Sequence, residues 1–260
     1  MRIFLGNNSK EGEFSPYIDT FLLEGASTPL GGVLVVPGGG YALRGDYEGD
    51  AVAKRFNELG FHAFVLQYRV APERYPAPQC DLVRALKVIA SRAQEWKMDK
   101  LAVLGFSAGG HLAASGVMLA GEFDRPCGDE ADDFPAAADA LILCYPVISL
   151  TADFAHKGSG ENLFGPGVSD AEKSRLDMQK LVTASTPPAF LWHTADDDTV
   201  SVRNSVEFAQ KMWQCGNSCE LHVFPKGFHG RGLAYSHADL RQWSSLAAKV
   251  LETSAKFTRG

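Results

Sequence analysis

The chain has 260 residues, 45% of them hydrophobic, and a formal net charge of -6. This length and apolar content allow one sizeable core, so a single domain over residues 1–260 is expected. Lys and Arg are scattered among Asp and Glu, leaving no basic stripe for nucleic acid, and no run of about 18 apolar residues exists to cross a bilayer.

In chain order, the opening stretch MRIFLGNNSKEG turns polar too soon for the apolar region of a secretory leader, so a cytoplasmic location without a membrane partner is expected. Residues 17–23 (YIDTFLL) have the character of an antiparallel edge strand. Six apolar runs of strand length follow: VLVV (33–36), HAFVLQY (62–68), LAVLGF (101–106), ALILCY (140–145), AFLWH (189–193) and ELHVF (220–224). Most are apolar nearly throughout, as in strands covered on both faces of a parallel sheet. Between them, Val52, Phe56 and Leu59 share a helical face, as do Leu82, Leu86, Ile89 and Ala93. Val206, Ala209 and Trp213 repeat the pattern, and Leu240, Trp243, Ala247, Val250 and Leu251 form a last apolar stripe, with Ser236 and Asp239 spaced like its capping box. The alternation predicts an α/β fold: a mostly parallel central sheet with helices on both faces.

One region breaks the rhythm. From Pro146 to Pro188 the chain is rich in Gly, Ser and charge and has no clear strand, which reads as a lid-like insertion at about 147–187. Ser169 and Glu172 suggest a short capped helix inside it. The five cysteines are odd in number and irregular in spacing, the pattern of reduced thiols. Cys215 and Cys219, the only close pair, lack a second pair at zinc-ligand spacing. No H-E-x-x-H or comparable cluster asks for a metal, and no cofactor is expected.

The chemistry starts where LAVLGF runs into SAGGHLAAS. Residues 105–109 read G-x-S-x-G, with Ser107 between two small residues that let a strand and a helix meet in a sharp turn. A serine hydroxyl is a weak nucleophile, so it needs a base held by an acid. Both follow in the order expected of an α/β sheet. Asp196, Asp197 and Asp198 stand where the 189–193 strand opens, and His229 stands in a glycine-flanked loop beyond the last strand. From the residues alone, any of the three aspartates is open as the acid. His111 would point back along its own helix. His62, His156 and His193 are expected to be structural or substrate-facing. Acyl transfer also needs backbone donors for an oxyanion. Ala108, directly after the nucleophile, is one candidate, and the glycines of PGGGY (37–41) supply the rest, because glycine lets bare backbone approach a substrate oxygen. The run does not end in Gly-Lys-Ser/Thr and is not G-x-G-x-x-G, which excludes the usual phosphate loops.

Together PGGGY, YRVAPERYPAP (68–78), GFSAGGHLAA, PPAFLWHTADDDTVSVRNS and FPKGFHGRGLA resemble the α/β-hydrolase superfamily. They are most similar to its compact acetylesterase branch, related to acetyl-xylan and feruloyl esterases and more distantly to hormone-sensitive-lipase-type esterases. Aligned on Leu191, His193 and Val200, the resemblance implies Asp197 as the triad acid, with Ser107 and His229, and Gly39, Gly40 and Ala108 as oxyanion donors. Tyr41 is expected to line the substrate pocket. Pro37, where hormone-sensitive-lipase-type enzymes have histidine, and the short stretch before the first long strand favour the compact branch without a large N-terminal cap. The implied function is hydrolysis of small acyl esters, above all acetyl, on carbohydrates such as xylan fragments, with a small-molecule or oligosaccharide ester as partner. A prolyl-oligopeptidase-type peptidase and a non-catalytic binding protein share the fold and are the alternatives.

Overall fold

The computed structural model describes residues 1–6 and 14–260. Its strands are β1 (Arg2–Phe4), β2 (Tyr17–Phe21), β3 (Leu30–Val36), β4 (His62–Gln67), β5 (Met98–Phe106), β6 (Ala140–Cys144), β7 (Ala189–Thr194) and β8 (Cys219–Phe224). They form one sheet in the order β1-β2-β4-β3-β5-β6-β7-β8. β1 pairs with β2, and β2 with β4, in antiparallel fashion; all other pairs are parallel. Every residue of β3, β6 and β7 is buried, which is why these strands read as continuous apolar runs.

The helices are α1 (Asp50–Glu58), α2 (Ala77–Ser91), α3 (Ala108–Met118), α4 (Ala120–Phe123), α5 (Lys157–Phe164), α6 (Asp170–Lys173), α7 (Met178–Leu181), α8 (Arg203–Gln214) and α9 (Trp243–Thr253). Side chains alternate along the strands, so each face of the sheet builds its own core. Leu34, Val36, Val103, Leu141 and Leu143 pack with Leu82, Leu86, Leu112, Phe208 and Met212 of α2, α3 and α8. Val33, Val35, Ala102, Leu104 and Ile142 pack with Phe56 of α1 and Trp243, Ala247 and Leu251 of α9. Each large apolar side chain fully removed from water contributes about 1.5–3 kcal/mol before the entropy of ordering it is subtracted.

Two helical expectations need correction. On α8, Val206 and Trp213 are 40% and 52% exposed, whereas Asn204, Ser205, Phe208, Ala209 and Met212 are buried. The face that meets the sheet contains a polar residue because the Ser205 hydroxyl bonds His193 Nδ1 at 2.8 Å, and an apolar count along the sequence misses it. Ser236 and Asp239 form no capping box. A 3-10 turn over Leu240–Gln242 leads into α9, which starts at Trp243 with no side-chain cap; burial of Leu240 and Trp243 sets this geometry.

The long segment after β6 is not bare loop. It holds α5, α6 and α7, and Ser169 and Glu172 do form a reciprocal capping box at α6. Asp177 ties its base together, accepting from Ser149 Oγ, Leu150 N, Thr151 Oγ1 and Lys180 Nζ. The consequence for chemistry is positional. β3, β5, β7 and β8 run parallel, so the loops at their carboxyl ends, carrying Gly39 and Gly40, Ser107, Asp197 and His229, gather along one rim of the sheet.

Candidate active site

Ser107 occupies the junction of β5 and α3 with φ 51° and ψ -121°, a conformation that a non-glycine residue adopts only under constraint. The constraint is close packing of small neighbours. A Cβ on Gly105 would sit 2.2 Å from the Gly109 carbonyl oxygen, and one on Gly109 would sit 2.3 Å from that of Val36. The elbow is then pinned by its backbone: Ser107 N–H donates to the Cys144 carbonyl at 3.0 Å, and the Ser107 carbonyl accepts from Gly110 and Val147, both at 3.0 Å. This holds the hydroxyl above the sheet with the amino end of α3 directly behind it.

His229 reaches this hydroxyl from the loop after β8. Its Nε2 lies 2.8 Å from Ser107 Oγ and its Nδ1 lies 2.7 Å from Asp197 Oδ2. Since the carboxylate can only accept, the proton of a neutral imidazole sits on Nδ1, leaving Nε2 to accept from the serine. Burial alone would raise the Asp197 pKa, but hydrogen bonds from His193 and His229 and from the Val200 amide outweigh it, holding the carboxyl well below the usual range. Asp197 is therefore an anion wherever the protein is folded near neutral pH.

The three aspartates divide the work. Asp196 accepts from the Gly227 and Phe228 amides at 2.9 and 3.3 Å, which anchors the loop that carries His229. Asp197 faces the imidazole, and Asp198 is exposed with only a 3.4 Å contact from Thr199 Oγ1. His193, expected to be structural or substrate-facing, is fully buried on β7. Its Nε2 donates to the Val200 carbonyl at 2.8 Å and lies 3.3 Å from Asp197 Oδ2, so it buttresses that carboxylate.

The glycine run wraps beside the elbow. A Cβ on Gly38 would lie 3.0 Å from Ser107 Cβ, and Gly39 and Gly40 have φ of +124° and +63°, where a side chain is strained. Among the described residues, the amides of Gly39, Gly40 and Ala108 donate to no protein acceptor. The Gly38 amide is taken by Glu48 Oε2 at 2.8 Å.

Glu48 carries no motif, and sequence reasoning missed it. It is buried between the two loops that matter: Oε2 holds the glycine loop, while Oε1 accepts from Tyr145 Oη at 2.6 Å. Tyr145 in turn accepts from the Gly232 amide at 2.8 Å and sets its ring edge-on to His229, with centroids 5.0 Å apart. Burial raises the Glu48 pKa, opposed by the bonds from Tyr145 and Gly38 and by the facing His229.

Tyr41 requires a correction. Its side chain does not line the pocket; it is 1% exposed, and its hydroxyl bonds His111 Nδ1 at 2.7 Å. The reason is backbone: at φ 61° the chain turns the ring inward, against Tyr68 and His111. His111, whose Nε2 bonds the Leu176 carbonyl at 2.9 Å, is pushed down to about 4 by burial and stays neutral. The insertion also touches the glycine loop, since Asn162 Nδ2 donates to the Gly40 carbonyl at 2.9 Å. Among the described residues no group of three or more His, Cys, Asp or Glu is placed to hold a metal ion, and all five cysteines are free thiols.

A scan against protein families matches residues 18–212 to BD-FAE. The chain belongs to the BD-FAE family. The BD-FAE match contains Ser107 and Asp197 and stops short of His229. Among curated relatives, endo-1,4-beta-xylanase B of Butyrivibrio fibrisolvens is 36% identical over 210 residues, 78% of this chain and 32% of that protein. The acetylxylan esterase of Xylanibacter ruminicola is 32% identical over 212 residues, 78% of this chain and 42% of that protein. The chain thus spans less than half the length of these two relatives. Among solved structures, the acetyl ester-xyloside bifunctional hydrolase from Caldicellulosiruptor lactoaceticus superposes with a TM-score of 0.91 at 37% identity, covering 99% of this chain and 97% of that one. A carboxylesterase from Lactobacillus plantarum follows with a TM-score of 0.80 at 25% identity, each chain covered in full. The architecture is the α/β-hydrolase fold.

Proposed function

We propose that this chain is a serine esterase that removes small acyl groups, acetyl above all, from carbohydrates such as xylan fragments, through an acyl-enzyme intermediate. One observation carries the reading: the continuous chain of contacts from Ser107 Oγ through His229 to Asp197, at 2.8 and 2.7 Å, on a constrained elbow beside the half-buried glycine backbone. Ser107 Oγ attacks the ester carbonyl while His229 Nε2 takes its proton. Asp197 keeps the imidazole oriented and stabilises the imidazolium that forms. The carbonyl oxygen becomes an oxyanion, for which the unengaged amides of Gly39, Gly40 and Ala108 are the donors. His229 then protonates the departing alkoxide, and the same base activates the water that releases the acid.

The carbohydrate side of the proposal rests on relatives. The protein from Xylanibacter ruminicola is named an acetylxylan esterase, and the one from Caldicellulosiruptor lactoaceticus an acetyl ester-xyloside hydrolase. The test is a hydrolysis profile over 4-nitrophenyl acetate, butyrate, feruloyl esters and acetylated xylo-oligosaccharides. Acetyl esters are expected to turn over fastest, and Ser107→Ala to lower kcat on each by roughly 10⁴-fold or more while abolishing labelling by a fluorophosphonate. Full activity in Ser107→Ala would end the proposal.

A further inference from the structure

The inference concerns His156, in the insertion, which the relay of Ser107, His229 and Asp197 does not use. His156 stands directly before α5 and caps it. Its Nδ1 accepts from the Ser159 amide at 3.3 Å and pairs with Ser159 Oγ at 2.8 Å. A backbone amide can only donate, so Nδ1 carries no proton and the neutral ring holds its hydrogen on Nε2. Burial and the facing His229 both push the His156 pKa down, against an opposing pull from Asp197, so the ring remains in this neutral form. Among the described residues Nε2 makes no hydrogen bond.

The location of this unused donor is what matters. A Cβ on Gly40 would lie 4.0 Å from His156 Cε1 and 3.8 Å from Asn162 Nδ2, so the imidazole borders the same glycine proposed above as an oxyanion donor. The half-buried ring is held there twice, by its own cap bonds and by Asn162, six residues further along in α5, bonded to the Gly40 carbonyl at 2.9 Å. A pre-positioned N–H donor at the rim of an ester site needs an acceptor from the substrate. An acetyl group has only one polar atom beyond the ester oxygen, its carbonyl oxygen, and the backbone amides take that. The remaining acceptors are on the alcohol.

We propose that His156 Nε2–H is a substrate-binding donor to a hydroxyl or ring oxygen of the sugar next to the scissile ester, so that the insertion selects polyhydroxylated alcohols. This rests on the esterase reading above and assigns one residue its alcohol specificity.

Two substitutions separate binding from capping. His156→Asn keeps an acceptor where Nδ1 stands and loses the distal N–H; His156→Gln restores an N–H near the Nε2 position and loses the cap. The measurement is kcat/KM on an acetylated methyl xyloside divided by kcat/KM on 4-nitrophenyl acetate, whose alcohol has no hydroxyl beside the ester. The ratio is expected to fall about tenfold in His156→Asn, chiefly through KM, and to recover at least in part in His156→Gln, in keeping with loss of one neutral hydrogen bond. An unchanged ratio in His156→Asn overturns the proposal. So does a loss confined to His156→Gln, which would assign His156 to the cap alone. If the wild-type protein cleaves neither ester, the esterase reading falls, and this proposal with it. If it cleaves both and the ratio ignores His156→Asn, only this proposal falls.

Discussion

The nucleophile elbow and the insertion after β6 border the same site, yet they are built on opposite principles. In the elbow, five consecutive residues contain nearly all the information. Gly105 and Gly109 must be small because each lies against backbone, and that packing forces Ser107 to a positive φ. The insertion has no such local signature. Its helices α5, α6 and α7 are eight, four and four residues long, too short to be stable alone, and they acquire a place only through contacts far away in sequence. Asn162 meets Gly40, and the Leu176 carbonyl meets His111 on the nucleophile helix. The proposed chemistry falls on the rigid, locally encoded element and the proposed selectivity on the element that tertiary contacts assemble.

The largest expected effect tests the reacting side. Asp197→Asn should lower kcat on 4-nitrophenyl acetate by about 10³- to 10⁴-fold, because an amide facing Nδ1 favours the wrong imidazole tautomer. The same substitution has a signature in stability. The folded Asp197 carboxyl titrates below its unfolded value, so its contribution is complete above roughly pH 4 and is lost as pH falls through the folded pKa. Thermal midpoints followed on acidification should therefore decline less steeply in Asp197→Asn than in the wild type.

Next in size is Gly105→Ala. The added methyl collides with backbone that cannot move aside, and about 3 kcal/mol of stability should be lost, roughly 6–12 °C in Tm by calorimetry. A Tm within 2 °C of wild type would show the elbow to be looser than its packing implies. The smallest effect belongs to the insertion: Asn162→Ala removes one neutral hydrogen bond to the Gly40 carbonyl, so KM for acetyl esters should rise about three- to fivefold with little loss of Tm. If it lowered Tm as much as Gly105→Ala, the insertion would be part of the structural core and the contrast would fail.

Legibility in the sequence follows the same division. The strands from β3 to β7 could be read because a parallel sheet covered on both faces demands apolar residues at nearly every position, whereas β8, at the sheet edge with no fully buried residue, shows only a short apolar run. Helix faces were less secure: on α8, Ser205 replaces the expected apolar contact because it serves His193, a pairing that spans two elements. Within the aspartate triple, only the turn after β7 decides that Asp196 holds the His229 loop, Asp197 meets His229 and Asp198 faces water. Tyr41 was misread because sequence does not show that φ 61° turns its ring into the core.

The sequence by itself determined the layered α/β architecture, the strand-to-helix elbow at Ser107, the glycine run beside it and the order of aspartate and histidine beyond later strands. These features follow from local sterics and from periodicity, which short windows of chain express in full. Tertiary structure alone decided that Glu48 bridges the glycine loop and Tyr145 and that His156 stands at Gly40. Such contacts join residues that no short window contains. Only the closed sheet and its packed loops bring them within hydrogen-bond or van der Waals reach, where burial makes each unmet polar group costly and its partner correspondingly specific.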